Sequence, residues 1–189
     1  MKNDEQNPMR ELTKSDVRLI AIASVDRDWG IGKGGKLLAH LPGDLRYFKA
    51  ATLGQIVVMG RRTLESLPGG RPLRDRTTLV LTRRADFEAN GAATVRSVEE
   101  LAREIAGLRA KGGMKAGERT DVFAAGGGDV YAELLPYTEI CLITKMEESF
   151  AADAFFPNLD EDEEFLLARS DAPITENGLT YRFTEYRRR

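Results

Sequence analysis

Two arginine pairs, Arg61-Arg62 and Arg83-Arg84, stand just behind runs of β-branched and apolar residues, IVVM (Ile56 to Met59) and TTLVLT (Thr77 to Thr82). Ligands of open α/β sheets bind outside the carboxyl ends of the strands. Guanidinium groups grip a phosphate monoester bidentately, whereas neutral ribose hydroxyls need no cation. The pairs therefore point to a dinucleotide with an extra phosphate, NADPH before NADH, rather than to two solvated faces. A third such run, VFAA (Val122 to Ala125), leads into Gly126, Gly127 and Gly128, whose amides and following helix start can face an anion. A tight strand-to-helix turn explains the same glycines, and Asp129 there caps a helix well but repels phosphate.

Asp44 is the acid placed for chemistry, in the first turn of a helix with Phe48 at i+4 on the same face. In an apolar cleft such a carboxylate is desolvated and its pKa rises, which suits a group that binds or relays a proton. The helix dipole alone also favours an aspartate there, so spacing leaves both readings open. His40 is the only histidine, which speaks against a histidine-based metal site; it reads as a loop residue beside the cleft. Cys141, the only cysteine, lies in the apolar run ICLI and reads as a buried small hydrophobe, with no internal disulfide framework.

Gly30, Gly32 and Gly35 form a Gly-x-Gly-x-x-Gly directly after the strand-like run LIAIASV (Leu19 to Val25). A dinucleotide fingerprint needs a helix to start at its third glycine and an acid about 20 residues on. Only six residues separate Gly35 from Pro42, too few for a crossover helix, and the second strand ends in Gly60-Arg61-Arg62. The pattern therefore marks either a mobile loop passing close to a ligand or a plain glycine-rich turn.

The elements that must position these residues alternate. After the strand at 19–25 and the glycine loop come a helix from about Asp44 to Thr52, a strand at 56–59, a helix over Arg61 to Leu67 and a strand at 77–82. A short strand AATV precedes Ser97-Val-Glu-Glu100, a capping box opening a helix through Leu108. VFAA, the glycines, the helix DVYAELL and the strand EICLIT (Glu139 to Thr144) repeat the alternation, so the fold class is α/β with a mostly parallel central sheet. FLLARS and LTYRFTEY alternate apolar and polar residues around the turn-rich 171–178 and predict an antiparallel pair at the C-terminal sheet edge. Lys111 to Arg119 reads as a polar surface loop.

With 189 residues, 42% hydrophobic and 31% charged, the chain fits one globular domain, residues 19–189. Residues 1–18 are polar and mixed in charge, without the apolar core of a signal peptide, and are expected to be a flexible extension of a cytoplasmic, monomeric protein. The net charge of −2 gives no basic field for nucleic acid. No apolar run approaches the roughly 20 residues that span a bilayer, and Arg187 to Arg189 read as a solvated end.

The run DRDWGIGKGGKLLAHLPGDLRYFK, then VVMGRRTLESLP with GRPLRDR, TLVLTRR, AAGGGDVYAELLP and ITKMEESFAADAFFP, resembles the dihydrofolate reductase family in order, from Leu19 to Tyr186. The resemblance implies hydride transfer from NADPH to C6 of dihydrofolate while a proton reaches N5, giving tetrahydrofolate. It makes Asp44 the carboxylate that holds the pterin's amino-pyrimidine edge and supports protonation, with Thr144 hydrogen-bonded to it. Ile22 and Ser24 match strand residues beside the pterin, Phe48 and Leu67 an apolar wall for the p-aminobenzoyl ring, and Arg76 the partner of the glutamate carboxylate. Gly60, Arg61, Arg62, Thr63, Thr82, Arg83, Gly126, Gly127, Gly128 and Asp129 match cofactor-binding segments, and Tyr131 a tyrosine near the nicotinamide. Trp29 to Lys36 matches a mobile lid, with Ile31, Gly32 and Lys36 facing the cofactor, and antifolates are implied as inhibitors.

Ala39 departs from the family, which nearly always has tryptophan there. The larger, wetter space predicts weaker substrate binding or slower turnover, and Trp29, the only tryptophan, lies at the lid's other end. Ala39 also gives footing to a non-catalytic pterin- or NADPH-binding relative, against which stand Asp44, Arg76 and Thr144. A riboflavin-pathway pyrimidine reductase shares fold and cofactor but should lack LPGDLRYFK.

Overall fold

The computed structural model describes residues 7–112 and 118–189. In chain order its elements are α1 (Pro8–Ser15), β1 (Val17–Val25), β2 (Gly30–Lys33), β3 (Lys36–Leu37), α2 (Pro42–Thr52), β4 (Ile56–Gly60), α3 (Arg61–Ser66), β5 (Thr77–Leu81), β6 (Ala93–Val95), α4 (Val98–Lys111), β7 (Thr120–Ala124), α5 (Gly128–Leu134), β8 (Ile140–Met146), β9 (Ala154–Phe155), β10 (Phe165–Ser170), β11 (Ile174–Glu176) and β12 (Leu179–Arg188). The main sheet runs β10-β12-β8-β1-β7-β4-β5-β6, with β11 also on β12; β3-β2-β9 form a small second sheet. From β8 to β6 every pairing is parallel, and β12 turns the other edge antiparallel. The expected α/β architecture with an antiparallel C-terminal edge is present.

Strand alternation divides the core. Leu19, Ala21, Ala23 and Val25 of β1 join a cluster with Trp29, Phe156 and residues of α4 and α5 on one face. Ile20 and Ile22 point the other way and join Val57, Met59, Val80 and Phe123 beneath Tyr47 and Phe48 of α2. A strand buried on both faces reads as the continuous apolar run seen in the sequence.

Several boundaries differ from expectation. Within the expected N-terminal extension lies α1: Asn7 caps it by accepting from Met9 N at 2.9 Å, Met9 is fully buried, and Asn7 Nδ2 donates to Tyr137 Oη at 2.8 Å. Polar composition concealed those two anchors. Residues 1–6, and 113–117 of the expected polar loop, lie outside the described residues. α2 starts at Pro42, whose fixed φ suits the first helical position. The Ser97 half of the capping box forms, with Glu100 N donating to Ser97 Oγ at 3.2 Å, while Glu100 Oε2 accepts from Arg96 N, one residue before the cap, at 2.7 Å. α4 then runs to Lys111, with Arg109 and Lys111 favourably placed in its last turn. No helix among the described residues is long and apolar enough to cross a membrane.

Candidate active site

Asp44 lies in the first turn of α2, against the strand ends of β1 and β8. Burial raises its carboxyl pKa, and the Thr144 hydroxyl, donating a hydrogen bond, pulls it partly back. Thr144 is 2% exposed and sits in register with Ser24 on one side and Phe183 on the other. Tyr47, three residues beyond Asp44, packs on Phe183 with ring centroids 4.4 Å apart. Ile22, Phe48, Leu64 and Leu67 belong to the apolar cluster under α2. The structure thus brings Asp44, Thr144, Ile22, Ser24, Phe48 and Leu67 to one neighbourhood.

Arg76 borders the same wall, 6.0 Å from the Phe48 ring centroid. Its Nε donates to Thr52 Oγ1 at 2.8 Å and its terminal nitrogens to the carbonyls of Arg74 at 2.7 Å and Lys49 at 3.4 Å. A guanidinium oriented by a hydroxyl and carbonyls keeps its charge for an incoming carboxylate.

The second half of the site follows the carboxyl ends of β7, β4 and β5. Ala125 N donates to Val58 O at 2.8 Å and Gly60 N to Gly126 O at 2.7 Å, so the glycine segment continues the strand pairing. The Gly126–Gly127 peptide is cis. Gly126 has φ +112°, and a Cβ on it would lie 3.4 Å from Tyr131 Oη and 3.6 Å from Thr63 Oγ1. A Cβ on Gly128 would meet Phe155 O at 3.0 Å. Tyr131 is buried and donates to Ile22 O at 2.7 Å, linking this edge to the Asp44 side.

The arginine pairs divide their work. Arg61 is tied to Glu65 at 2.6 Å and Arg84 to Asp86 at 2.6 Å, holding the Asp86 carboxyl down at about 2. Arg62 is exposed, and Arg83 is 89% exposed with Glu133 at 3.7 Å. Arg62 and the loosely paired, exposed Arg83 are therefore the cations best able to turn toward a phosphate, while Arg61 and Arg84 brace their own turns. Thr82 also belongs to the bracing, its Oγ1 accepting from Arg84 N at 3.3 Å. Asp129 is exposed and leaves the glycine cradle open. Backbone without Cβ beside exposed guanidinium groups fits a dinucleotide phosphate.

The Gly-x-Gly-x-x-Gly stretch starts no helix. It forms the β2–β3 hairpin, with Gly34 N donating to Asp153 Oδ2 at 2.8 Å. A Cβ at Gly30 would lie 2.5 Å from Ala152 Cβ and one at Gly32 2.8 Å from Lys36 O, so these glycines serve the hairpin's own packing. Ile31 packs toward the Trp29 cluster, and Lys36 is exposed at the far side of the turn. Sequence reading passed over Asp26, whose buried carboxylate accepts from Asp28 N, Gly30 N and Phe150 N at 2.7 to 2.9 Å and roots the hairpin. An aspartate ending a buried strand before a glycine turn was the available signal.

Ala39 packs with Leu38 and Phe183 against Leu41, Met146 and Tyr181. Trp29 lies in the other core cluster, 6.1 Å from Phe156 and 5.9 Å from Tyr186 between ring centroids, and does not fill the space beside Ala39.

A family model described as dihydrofolate reductase matches residues 18–188. The chain is 33% identical over 170 residues to the dihydrofolate reductase of Neisseria gonorrhoeae, covering 90% of this chain and 98% of that one. Against that of Mycobacterium tuberculosis it is 38% identical over 162 residues, covering 84% and 90%. Among solved structures, dihydrofolate reductase from Enterococcus faecalis complexed with NADP(H) and RAB-propyl matches with a TM-score of 0.75 at 33% identity, covering 90% of this chain and 96% of that one.

Proposed function

The chain belongs to the dihydrofolate reductase family, and from that premise we propose that its site reduces 7,8-dihydrofolate to 5,6,7,8-tetrahydrofolate with Asp44 as the working carboxylate. It is an NADPH-dependent oxidoreductase. The observation that carries the assignment of Asp44 is a desolvated carboxylate, hydrogen-bonded by Thr144 at the start of the helix whose Phe48 joins Ile22 and Leu67 in one apolar cluster.

When bound, NADPH supplies the hydride that goes to C6. Asp44 holds the amino-pyrimidine edge of the pterin and supports the protonation of N5. Thr144 fixes the carboxylate's orientation, Phe48 and Leu67 exclude water around the p-aminobenzoyl ring, and Arg76 takes the glutamate carboxylate. Arg62 and Arg83 hold the phosphate that distinguishes NADPH from NADH, and Gly60 and Gly126 to Gly128, with the Thr63 hydroxyl beside them, let other parts of the cofactor approach the backbone closely. The hairpin carrying Ile31, Gly32 and Lys36 is the segment that family resemblance makes the lid over the cofactor. Such a site also takes antifolates that mimic the pterin. We read the protein as a cytoplasmic monomer that binds no nucleic acid, with its net charge of −2 as support.

NADPH oxidation by the purified protein, followed by absorbance with and without dihydrofolate and with Asp44→Asn beside it, tests the proposal. Dihydrofolate-dependent oxidation that collapses in the variant supports it. A folded protein that binds NADPH without turnover would instead support the non-catalytic reading that Ala39 favours.

A further inference from the structure

We propose that Glu176 is a positioning residue that caps α2 from across the fold and thereby aims Asp44; this rests on the reading of Asp44 as the active-site carboxylate. A helix leaves its first N–H groups without intrahelical partners, and a polar side chain at the N-cap ordinarily accepts from one of them. At α2 the N-cap is Leu41, which makes no side-chain cap, and Pro42 has no N–H to offer. The first N–H of the helix is that of Gly43, which donates to Glu176 Oε2 at 2.8 Å from a strand 133 positions along the chain.

The contact is built from both sides. Tyr181 Oη donates to the same Glu176 oxygen at 3.3 Å, and Arg46 Nη2 lies 3.6 Å from Oε1. A Cβ on Gly43 would lie 2.1 Å from Tyr181 Oη and 3.1 Å from Glu176 Oε2, so glycine at 43 and the acid at 176 answer one geometric demand. Tyr181 is 1% exposed, which fixes the phenol that orients the acid. Asp44 is the next residue after Gly43. Where the Gly43 N–H is held therefore sets the angle at which the Asp44 carboxylate meets Thr144. Loosening that first turn costs the orientation on which hydride and proton transfer depend.

Steady-state kinetics of the full chain carrying Glu176→Ala, Glu176→Gln or Gly43→Ala, each beside Asp44→Asn, test the proposal, with NADPH binding followed by the fluorescence of the single tryptophan. Glu176→Ala should lower kcat/KM for dihydrofolate about tenfold, the scale of a lost cap and charge-assisted hydrogen bond. The Kd for NADPH, whose segments lie elsewhere, should stay within about twofold. Glu176→Gln keeps an oxygen for Gly43 and should recover most of the loss. Gly43→Ala, whose Cβ displaces the same contact, should show the same split should Glu176→Ala fail to fold. Wild-type kinetics in Glu176→Ala, a Gln variant as poor as Ala, or a loss shared equally by NADPH binding overturns the proposal. Wild-type turnover in Asp44→Asn removes the reading of Asp44 instead, whereas an inactive Asp44→Asn beside an unimpaired Glu176→Ala removes the cap alone.

Discussion

On the α2–β8 side of the cleft one carboxylate is held out of water among apolar side chains, with a single buried threonine as hydrogen-bond donor. Along the ends of β7, β4 and β5 the charges are exposed guanidinium groups set around bare glycine backbone. The first region is assembled from residues a hundred positions apart; the second is three strand-to-helix or strand-to-loop turns laid side by side by parallel pairing. Chemistry that depends on a shifted pKa belongs where water is excluded, whereas recognition of a highly charged phosphate tolerates water and gains from reach.

Breaking the first region should have the largest effect. Asp44→Asn should lower kcat/KM for dihydrofolate by about a hundredfold or more, the scale of a lost general acid–base group, while NADPH binding persists. The same residue gives a pH signature. Burial raises its folded-state pKa above the unfolded value, so its contribution to stability is fully present below the unfolded pKa and is lost as pH rises through the folded one. Thermal melts should therefore show Asp44→Asn gaining on the wild type as pH rises from the acid range toward neutral. Turnover of the wild type should fall across that same raised pKa, and the variant should lack this inflection.

Arg76 stands between the two regimes, a cation oriented by neutral partners beside an apolar wall. Arg76→Gln should raise KM for dihydrofolate about tenfold to a hundredfold, as expected for one charge-assisted contact, and leave a pterin without the glutamyl tail unaffected.

On the cofactor edge, Arg62→Gln or Arg83→Gln should raise KM for NADPH by about threefold to tenfold, with a smaller effect on NADH, and weaken its dependence on salt. Arg61→Gln and Arg84→Gln should do less, because those side chains are already spent on Glu65 and Asp86. Equal effects from all four would erase the division of labour within each pair. The smallest change is expected from Ala39→Trp, which should tighten dihydrofolate binding about twofold to fivefold by replacing water with apolar surface beside Phe183.

Much of the cofactor edge was readable in the chain because its determinants are local. β-branched runs, the residues that end them and the glycines after them occur within a few positions of one another, and right-handed parallel pairing then aligns them. The antiparallel edge was legible for the same reason, as strands of period 2 around a turn. The Asp44 side was legible only as a candidate, since spacing puts Asp44 and Phe48 on one helix face but does not say what that face meets. α1 escaped notice because Met9 and Leu12 are few among polar neighbours, and amphipathic anchoring shows only once the surface they cover is known.

The sequence by itself determined the chain order of the main sheet's strands apart from β11 and of α2 to α5, the sheet's mixed character, the strand-end placement of the arginines and the failure of the Gly-x-Gly-x-x-Gly stretch as a dinucleotide fingerprint. All of these follow from periodicity, proline and glycine stereochemistry, and chain-local spacing. Tertiary structure alone decided which arginine of each pair is tightly held, that burial lifts the Asp44 pKa, and that α2 takes its cap from Glu176. Those outcomes depend on desolvation and on hydrogen bonds between distant segments, which exist only after the sheet has set the register that brings the segments together.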